Sequence, residues 1–161
     1  MCIRDRGGTN HAWLDQVSLE YGYPLWQRAY FNTAEQANPL ASGPAADPDA
    51  DGWCNQFEYL YNLNPKIPDS GSPNLPAVSI VESGGQEFAA YTWSQHAQRA
   101  AYLAVTVEFS TSLESGSWQP LDVPLEVLSS SGAMETVRVT SPIPVGTLPQ
   151  GFFRTKLSLL P

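Results

Sequence analysis

The sequence predicts an α+β fold in which a short helical segment precedes a small antiparallel β-sandwich or partly open barrel. Upstream of residue 62, apolar residues recur every three to four positions, which is the spacing of one helix face. Beyond residue 77 the apolar period falls to two, and turns rich in Ser and Gly separate the runs. With 161 residues, 42% of them hydrophobic, the chain is long and apolar enough to build a core.

The chain divides into four segments. Residues 1–6 resemble an assembly artefact, so we expect a non-native leader and a chain that is a fragment of a longer protein. A helical module is expected over residues 7–66, a linker over residues 67–76 and an antiparallel β domain over residues 77–161. The linker is expected because its Pro, Ser and Gly residues favour turns.

Two short helices are expected within residues 12–37. Trp13, Val17 and Tyr21 share one helix face. A second helical group, at residues 25–30, follows a break at Gly22-Tyr23-Pro24. The module therefore begins with a broken helical segment.

The rest of the module is expected to contain two more helix boundaries. A helix start is predicted at Thr33, and Asn38-Pro39 is predicted to stop that helix. Residues 39–46 are expected to be a loop. A short helix after residue 54 is predicted to end at Asn62, because Asn tolerates the left-handed conformation that ends helices.

The β domain is expected to contain five or six antiparallel strands. Residues 103–109 give the clearest pattern, because Leu103, Val105 and Val107 alternate with more polar neighbours. Weaker patterns predict strands at residues 77–82, 87–93, 121–128, 134–140 and 152–159. Turn residues separate these runs, as a sandwich or barrel requires.

An acidic motif lies between the helices. Residues 47–58 match D-x-D-x-D-G-x₅-E at every specified position. Ca²⁺ prefers about six to eight oxygen ligands in a flexible shell. We expect those ligands from the side chains of Asp47, Asp49 and Asp51, the carbonyl of Trp53, Asn55 directly or through water, and both carboxylate oxygens of Glu58. The motif predicts a Ca²⁺ site of EF-hand type, with Gly52 turning the chain.

A plain acidic turn is the alternative interpretation, because Asp, Asn, Gly and Pro are common turn residues. It does not explain an amide at position nine and a glutamate at position twelve of the motif. Pro39, Gly43 and Pro44 exclude a regular helix directly before Asp47, and no second loop of this type occurs in the sequence. We therefore expect an isolated half-hand that holds a structural ion.

Several segments together carry a family resemblance. They are Trp26 and Phe31, residues 35–39, Ser42-Gly43, residues 46–52, Asn55, residues 58–65, Val107-Glu108, Ser110, Leu113, Trp118 and Phe152-Phe153-Arg154. These residues resemble the C-terminal calcium-loop tail of large secreted bacterial proteins, whose loop is similar to dockerin and thrombospondin type 3 loops. The resemblance implies an accessory region with catalytic or adhesive domains upstream. The sequence departs from that pattern at Ala50, Trp53, Cys54 and Asn62.

Composition and motifs exclude several classes of function. The formal net charge is −8, from 16 Asp and Glu against 8 Lys and Arg, and such a chain repels nucleic-acid phosphates. No run approaches the roughly 18 apolar residues of a membrane span. No hydrolase, zinc-protease or nucleotide-binding fingerprint occurs. We expect a protein that is not an enzyme, binds no nucleic acid and has no membrane span.

Three hypotheses on function follow. The first is a calcium-stabilised accessory or structural module, secreted or at the cell surface, whose partners are the upstream domains of its parent chain and polysaccharide or cell-surface material. The second is a carbohydrate-binding module in which Tyr91, Trp93, Tyr102 and Trp118 stack on sugars, although core packing also explains these residues. The third treats the acidic cluster as glycosidase carboxylates, which requires an opposed acid and base in a cleft.

Overall fold

The computed structural model describes residues 22–160 and the backbone of residues 3–4 and 10–11. Within these ranges the chain forms a few short helices and two main antiparallel sheets, of four and three strands. The sheets do not close into a barrel. The predicted α+β fold is confirmed, with the open arrangement in place of the barrel.

The described helices are all short. They are α1 (Tyr23–Tyr30), α2 (Thr33–Gln36), α3 (Pro39–Ser42), α4 (Asn55–Tyr61) and α5 (Ala97–Ala100). The expected break at residues 22–24 is in fact the start of α1, because Pro24 occupies the first turn, where a missing N–H costs nothing. The helix face predicted for Trp13, Val17 and Tyr21 lies outside the described residues.

Between α1 and the acidic loop, the helix start predicted at Thr33 is confirmed, because α2 begins there, whereas the loop predicted at residues 39–46 needs correction. The residue that caps α2 is Asn32, one position before Thr33, and its side chain and that of Glu35 form a capping box. Residues 39–46 are not all loop, because Asn38 caps α3 and Pro39 is its first residue. Proline was interpreted as a stop, but its fixed φ also suits the first position of a helix.

Beyond residue 77 the strands agree with the period-two pattern except near residue 121. The described strands are β1 (Ile3–Arg4), β2 (Asn10–His11), β3 (Ala77–Ser83), β4 (Gln86–His96), β5 (Leu103–Ser110), β6 (Gln119–Pro120), β7 (Glu126–Ser131), β8 (Met134–Pro144) and β9 (Phe152–Leu159). The strand expected at residues 121–128 is wrong in its first half. Leu121 and Val123 instead pack against the core from an irregular segment that includes Pro124, which has no N–H for a ladder.

The two main sheets share one core with the helices. The strand orders are β3-β4-β8-β7 and β6-β5-β9, and β1 pairs only with β2. The buried cluster takes Trp26 and Phe31 from the α1 end, Tyr59, Leu60, Tyr61 and Leu63 from around α4, Tyr91, Trp93, Val137 and Val139 from one sheet, and Leu103, Val107 and Leu157 from the other. Helix α4 is therefore a core element. The division into a helical module and a β domain stays a prediction.

The longest described helix, α1, has 8 residues. None of the described helices is long and apolar enough to cross a membrane.

Candidate metal centre

Three aspartates converge in the acidic loop between α3 and α4. Ligand oxygens of Asp47, Asp49 and Asp51 all lie within 4.8 Å of one another. The loop is closed by its own side chains, because Asp47 Oδ2 accepts a hydrogen bond from the Gly52 N–H at 3.0 Å and Asp51 Oδ1 accepts one from the Trp53 N–H at 2.8 Å. Gly52 has φ +96°, a conformation that favours glycine. The predicted turn at Gly52 is therefore formed.

Glu58 is the most unusual residue of the site. It lies on α4, is 0% exposed, and neither carboxylate oxygen has a hydrogen-bond partner. Burial, followed by the charges of Asp49, Asp51, Asp69 and Asp47, raises the pKa of Glu58 to about 8. A carboxylate without partners in such surroundings is strongly disfavoured unless a proton or a cation compensates it.

Asn55 shows how α3 and the start of α4 shape the site. The Asn55 side chain is fully buried, and its Nδ2 donates to the carbonyl oxygens of Ala41 and Gly43 at 3.0 and 2.9 Å. Its Oδ1 has no partner. Because both amide hydrogens are used by the end of α3, the oxygen is the atom left for a ligand. The short helix α3 thus orients Asn55 where a regular EF-hand has a long entering helix.

The unpartnered atoms fit a cation. Among the described residues, Asp49 Oδ2, Asn55 Oδ1 and both carboxylate oxygens of Glu58 are buried acceptors without a donor. Each such atom lowers the free energy of unfolding by about 1–3 kcal/mol when it has no hydrogen-bond partner. Burial also raises the pKa of Asp49 above its ordinary value, and the charges of Asp51 and Asp47 add to this effect. An Asp-rich cluster with these acceptors beside it can hold a metal ion.

The remaining predicted ligands are placed as follows. Glu58 lies outside the group of oxygens within 4.8 Å, although its pKa responds to the charges of that group. The Trp53 ring packs edge-on against Phe57 and Tyr61, with centroid distances of 5.7 and 5.9 Å, which fastens the loop to α4. A ligand role for the Trp53 carbonyl stays a prediction.

Sequence reasoning missed Asp69. Its N–H donates to Asp51 Oδ2 at 2.8 Å across 18 residues of sequence, and its own Oδ2 accepts from the Asn64 N–H at 2.8 Å. The motif ends at Glu58, and an Asp in a segment rich in Pro and Ser is ordinary turn composition. Only the folded chain brings Asp69 to the acidic loop.

The four aromatic residues of the carbohydrate hypothesis do not form one exposed platform. Tyr91 and Trp93 are 8% and 1% exposed and belong to the core. Tyr102 remains 39% exposed, and Trp118 is half-buried beneath Arg154, whose guanidinium carbon lies 4.3 Å from the ring centroid. Tyr102 and Trp118 flank opposite ends of β5, because Tyr102 precedes Leu103 while Gln119 pairs with Phe109.

The fold and the site together define a broad class of protein. The chain is a β-rich α+β protein with an aspartate cluster that can hold a metal ion. Protein-family models, curated proteins and solved structures give no match to the sequence or the fold. Any narrower statement of function rests on the residues of the site.

Proposed function

We propose that this chain is a calcium-stabilised, non-enzymatic C-terminal accessory module of a larger exported protein. The observation that carries the proposal is Glu58, a fully buried carboxylate with two unpartnered oxygens beside three aspartates. Its position twelve of the acidic motif is where EF-hand loops supply a bidentate glutamate. The resemblance to C-terminal calcium-loop tails of large secreted bacterial proteins supports the same assignment.

Calcium is favoured over other metals by the donor set. The converging atoms are carboxylate oxygens, and the Asn55 amide oxygen is buried without a donor, whereas zinc favours nitrogen and sulfur ligands. Mg²⁺ demands near-ideal octahedral geometry and keeps several waters. A loop with many carboxylates and a bidentate glutamate suits the larger, more flexible shell of Ca²⁺.

The chain's own residues define what binding would do. The expected ligands are Asp47, Asp49, Asp51, the Trp53 carbonyl, Asn55 and Glu58. Bound Ca²⁺ would supply the positive charge that the unpartnered acceptors lack. Because α4 carries both Glu58 and the core residues Leu60 and Tyr61, ligation at Glu58 would fasten the loop to the shared core. The ion would therefore be structural.

A structural role also fits the accessibility of the site. Glu58 is 0% exposed, so it offers no carboxylate to a substrate arriving from solvent, as a glycosidase acid or base must. Isolated loops of extracellular modules bind Ca²⁺ with a Kd on the order of 10⁻⁴–10⁻³ M. We therefore place the module outside the cytoplasm, with upstream domains and polysaccharide or cell-surface material as its partners. The carbohydrate-binding alternative is less favoured, because its aromatic residues are divided between the core and two distant strand ends.

The proposal is tested by calcium titration of the purified chain. We expect about 10 mM Ca²⁺ to stabilise the chain by about 2.7 kcal/mol if Kd is near 10⁻⁴ M, with a much smaller effect of Mg²⁺. The double variant Asp49→Ala/Glu58→Ala should lose this response, and Glu82→Ala, which removes an exposed carboxylate on β3, should retain it. A melting curve of the unsubstituted chain that ignores millimolar Ca²⁺, or responds equally to Mg²⁺, would overturn the proposal.

A further inference from the structure

The carboxylate of Asp51 is held from two sides. Asp51 Oδ1 accepts from the Trp53 N–H inside the loop, and Oδ2 accepts from the Asp69 N–H outside it, both at 2.8 Å. One hydrogen bond leaves a carboxylate free to rotate about its side-chain bonds, whereas two bonds to different oxygens fix its plane. Outer-shell hydrogen bonds of this kind orient metal ligands and contribute to metal affinity.

The backbone that supplies the second donor is itself held in a bend. Asp69 Oδ2 accepts from the Asn64 N–H at 2.8 Å, and Asn64 Oδ1 accepts from the Lys66 N–H at 3.1 Å. These two side-chain contacts close residues 64–69 on themselves. The bend presents the Asp69 N–H to Asp51, and Asp69 remains half-buried at the site.

We infer that Asp69 is a positioning residue of the metal site, acting through Asp51 from outside the twelve-residue motif. The inference rests on the proposed function of the loop. Its carboxylate closes the bend, the bend places its N–H, and the N–H fixes the Asp51 carboxylate in the orientation needed for ligation. The metal site is therefore built from two segments, residues 47–58 and the bend that follows α4.

Asn74, five residues after the bend, connects this part of the chain to the large sheet. Asn74 Nδ2 donates to the Tyr61 carbonyl at 2.9 Å, and the Asn74 carbonyl accepts from the Ser94 N–H at 3.1 Å. The end of α4, the segment after it and β4 are consequently linked by hydrogen bonds.

The test compares three substitutions in the full chain. Asp69→Ala removes the acceptor for Asn64, Asp69→Asn keeps an acceptor oxygen, and Asp122→Ala removes an exposed carboxylate far along the sequence as a control. Calcium affinity is measured by calorimetry, and stability without calcium is measured by urea unfolding in EDTA. We expect Asp69→Ala to weaken Ca²⁺ binding about tenfold, Asp69→Asn to stay within about threefold of the unsubstituted chain and Asp122→Ala to bind unchanged.

Each outcome decides between roles. The positioning role is supported if Asp69→Ala binds calcium more weakly with little change of stability in EDTA, and if Asp69→Asn recovers the calcium affinity. Equal weakening in Asp69→Ala and Asp69→Asn would overturn it, because the charge or direct ligation would then matter. Unchanged affinity in Asp69→Ala would also overturn it. If the unsubstituted chain binds no calcium, the proposed function fails instead, so the two failures are distinguishable.

Discussion

Replacement of Glu58 by glutamine should stabilise the calcium-free chain and remove most of its stabilisation by calcium. Glutamine keeps the size of the side chain but removes its charge. In the calcium-free protein the pKa of Glu58 is about 8, against an ordinary value of 4.5. The folded state therefore retains a proton that the unfolded chain releases between these two values.

The sign of the pH effect follows from that difference. A carboxyl group whose pKa is raised on folding binds more protons in the folded state, so its contribution to stability falls as pH rises from 4.5 towards 8. One proton corresponds to a slope of about 1.4 kcal/mol per pH unit. Between pH 6 and pH 8 the calcium-free chain should lose about 2 kcal/mol through Glu58, whereas Glu58→Gln should lack this loss.

Calcium should narrow the difference in stability between the two proteins. Binding requires the ionised carboxylate and displaces its proton, so the unsubstituted chain binds more tightly as pH rises towards 8. Glu58→Gln offers one neutral oxygen in place of two charged ones. At pH 8 we expect the variant to be more stable than the unsubstituted chain in EDTA. About 10 mM Ca²⁺ should narrow that difference, because the unsubstituted chain gains about 2.7 kcal/mol at a Kd near 10⁻⁴ M and the variant gains much less.

The assay is urea unfolding followed by tryptophan fluorescence at pH 6 and pH 8, in EDTA and in Ca²⁺. Glu82→Gln is the matched control, because Glu82 is exposed on β3. That control should follow the unsubstituted chain under all four conditions. If Glu58→Gln and the unsubstituted chain lose stability equally between pH 6 and pH 8 in EDTA, the argument from a buried, uncompensated Glu58 is wrong.

Three further substitutions test the loop and the core by urea unfolding. Ala50→Gly should stabilise the chain by about 0.5–1 kcal/mol with or without calcium, because Ala50 has φ +60°; a loss of stability would contradict this. Asn55→Ala should cost about 1–3 kcal/mol of stability in EDTA, because it leaves the Ala41 and Gly43 carbonyls without their donor. Unchanged stability would show that these two hydrogen bonds do not stabilise the fold. Leu60→Ala, at 0% exposure, should cost about 2–5 kcal/mol in one transition seen equally by circular dichroism and fluorescence, whereas two separate transitions would contradict a shared core.

Much of the local structure could be predicted because its pattern is local. Strand β5 was expected at residues 103–109 and spans Leu103–Ser110, since its alternation reflects one buried face. Helix α4 ends at Asn62, whose φ of +56° is the left-handed conformation expected there. Errors in the predicted helix boundaries arose where the same residue type occurs in two kinds of local structure. Pro39 starts a helix as readily as proline ends one, and only its neighbour Asn38 decides between them.

At the metal site, sequence patterns also fail to predict contacts between residues that are far apart in the chain. The spacing of the acidic motif placed Asp47, Asp49 and Asp51 together, because a tight loop leaves them few other arrangements. It gave no information on burial, so the two unpartnered oxygens of Glu58 could not be expected. It also gave no indication of Asp69, which reaches the loop across 18 residues through a bend. Contacts of that kind depend on tertiary packing.

The position of Glu58 connects the charge of the loop to the stability of the core. Leu60 and Tyr61 follow it on α4 and are fully buried, so α4 cannot turn Glu58 towards water without exposing core residues. Without a cation, the chain must retain a proton on Glu58 or lose packing around α4. A Kd on the order of 10⁻⁴–10⁻³ M binds little Ca²⁺ where its concentration is about micromolar or lower, and substantial Ca²⁺ where it is millimolar. The same residues would therefore make the chain less stable where Ca²⁺ is scarce and more stable where it is millimolar, which is a physical reason to place a weak site beneath a core helix.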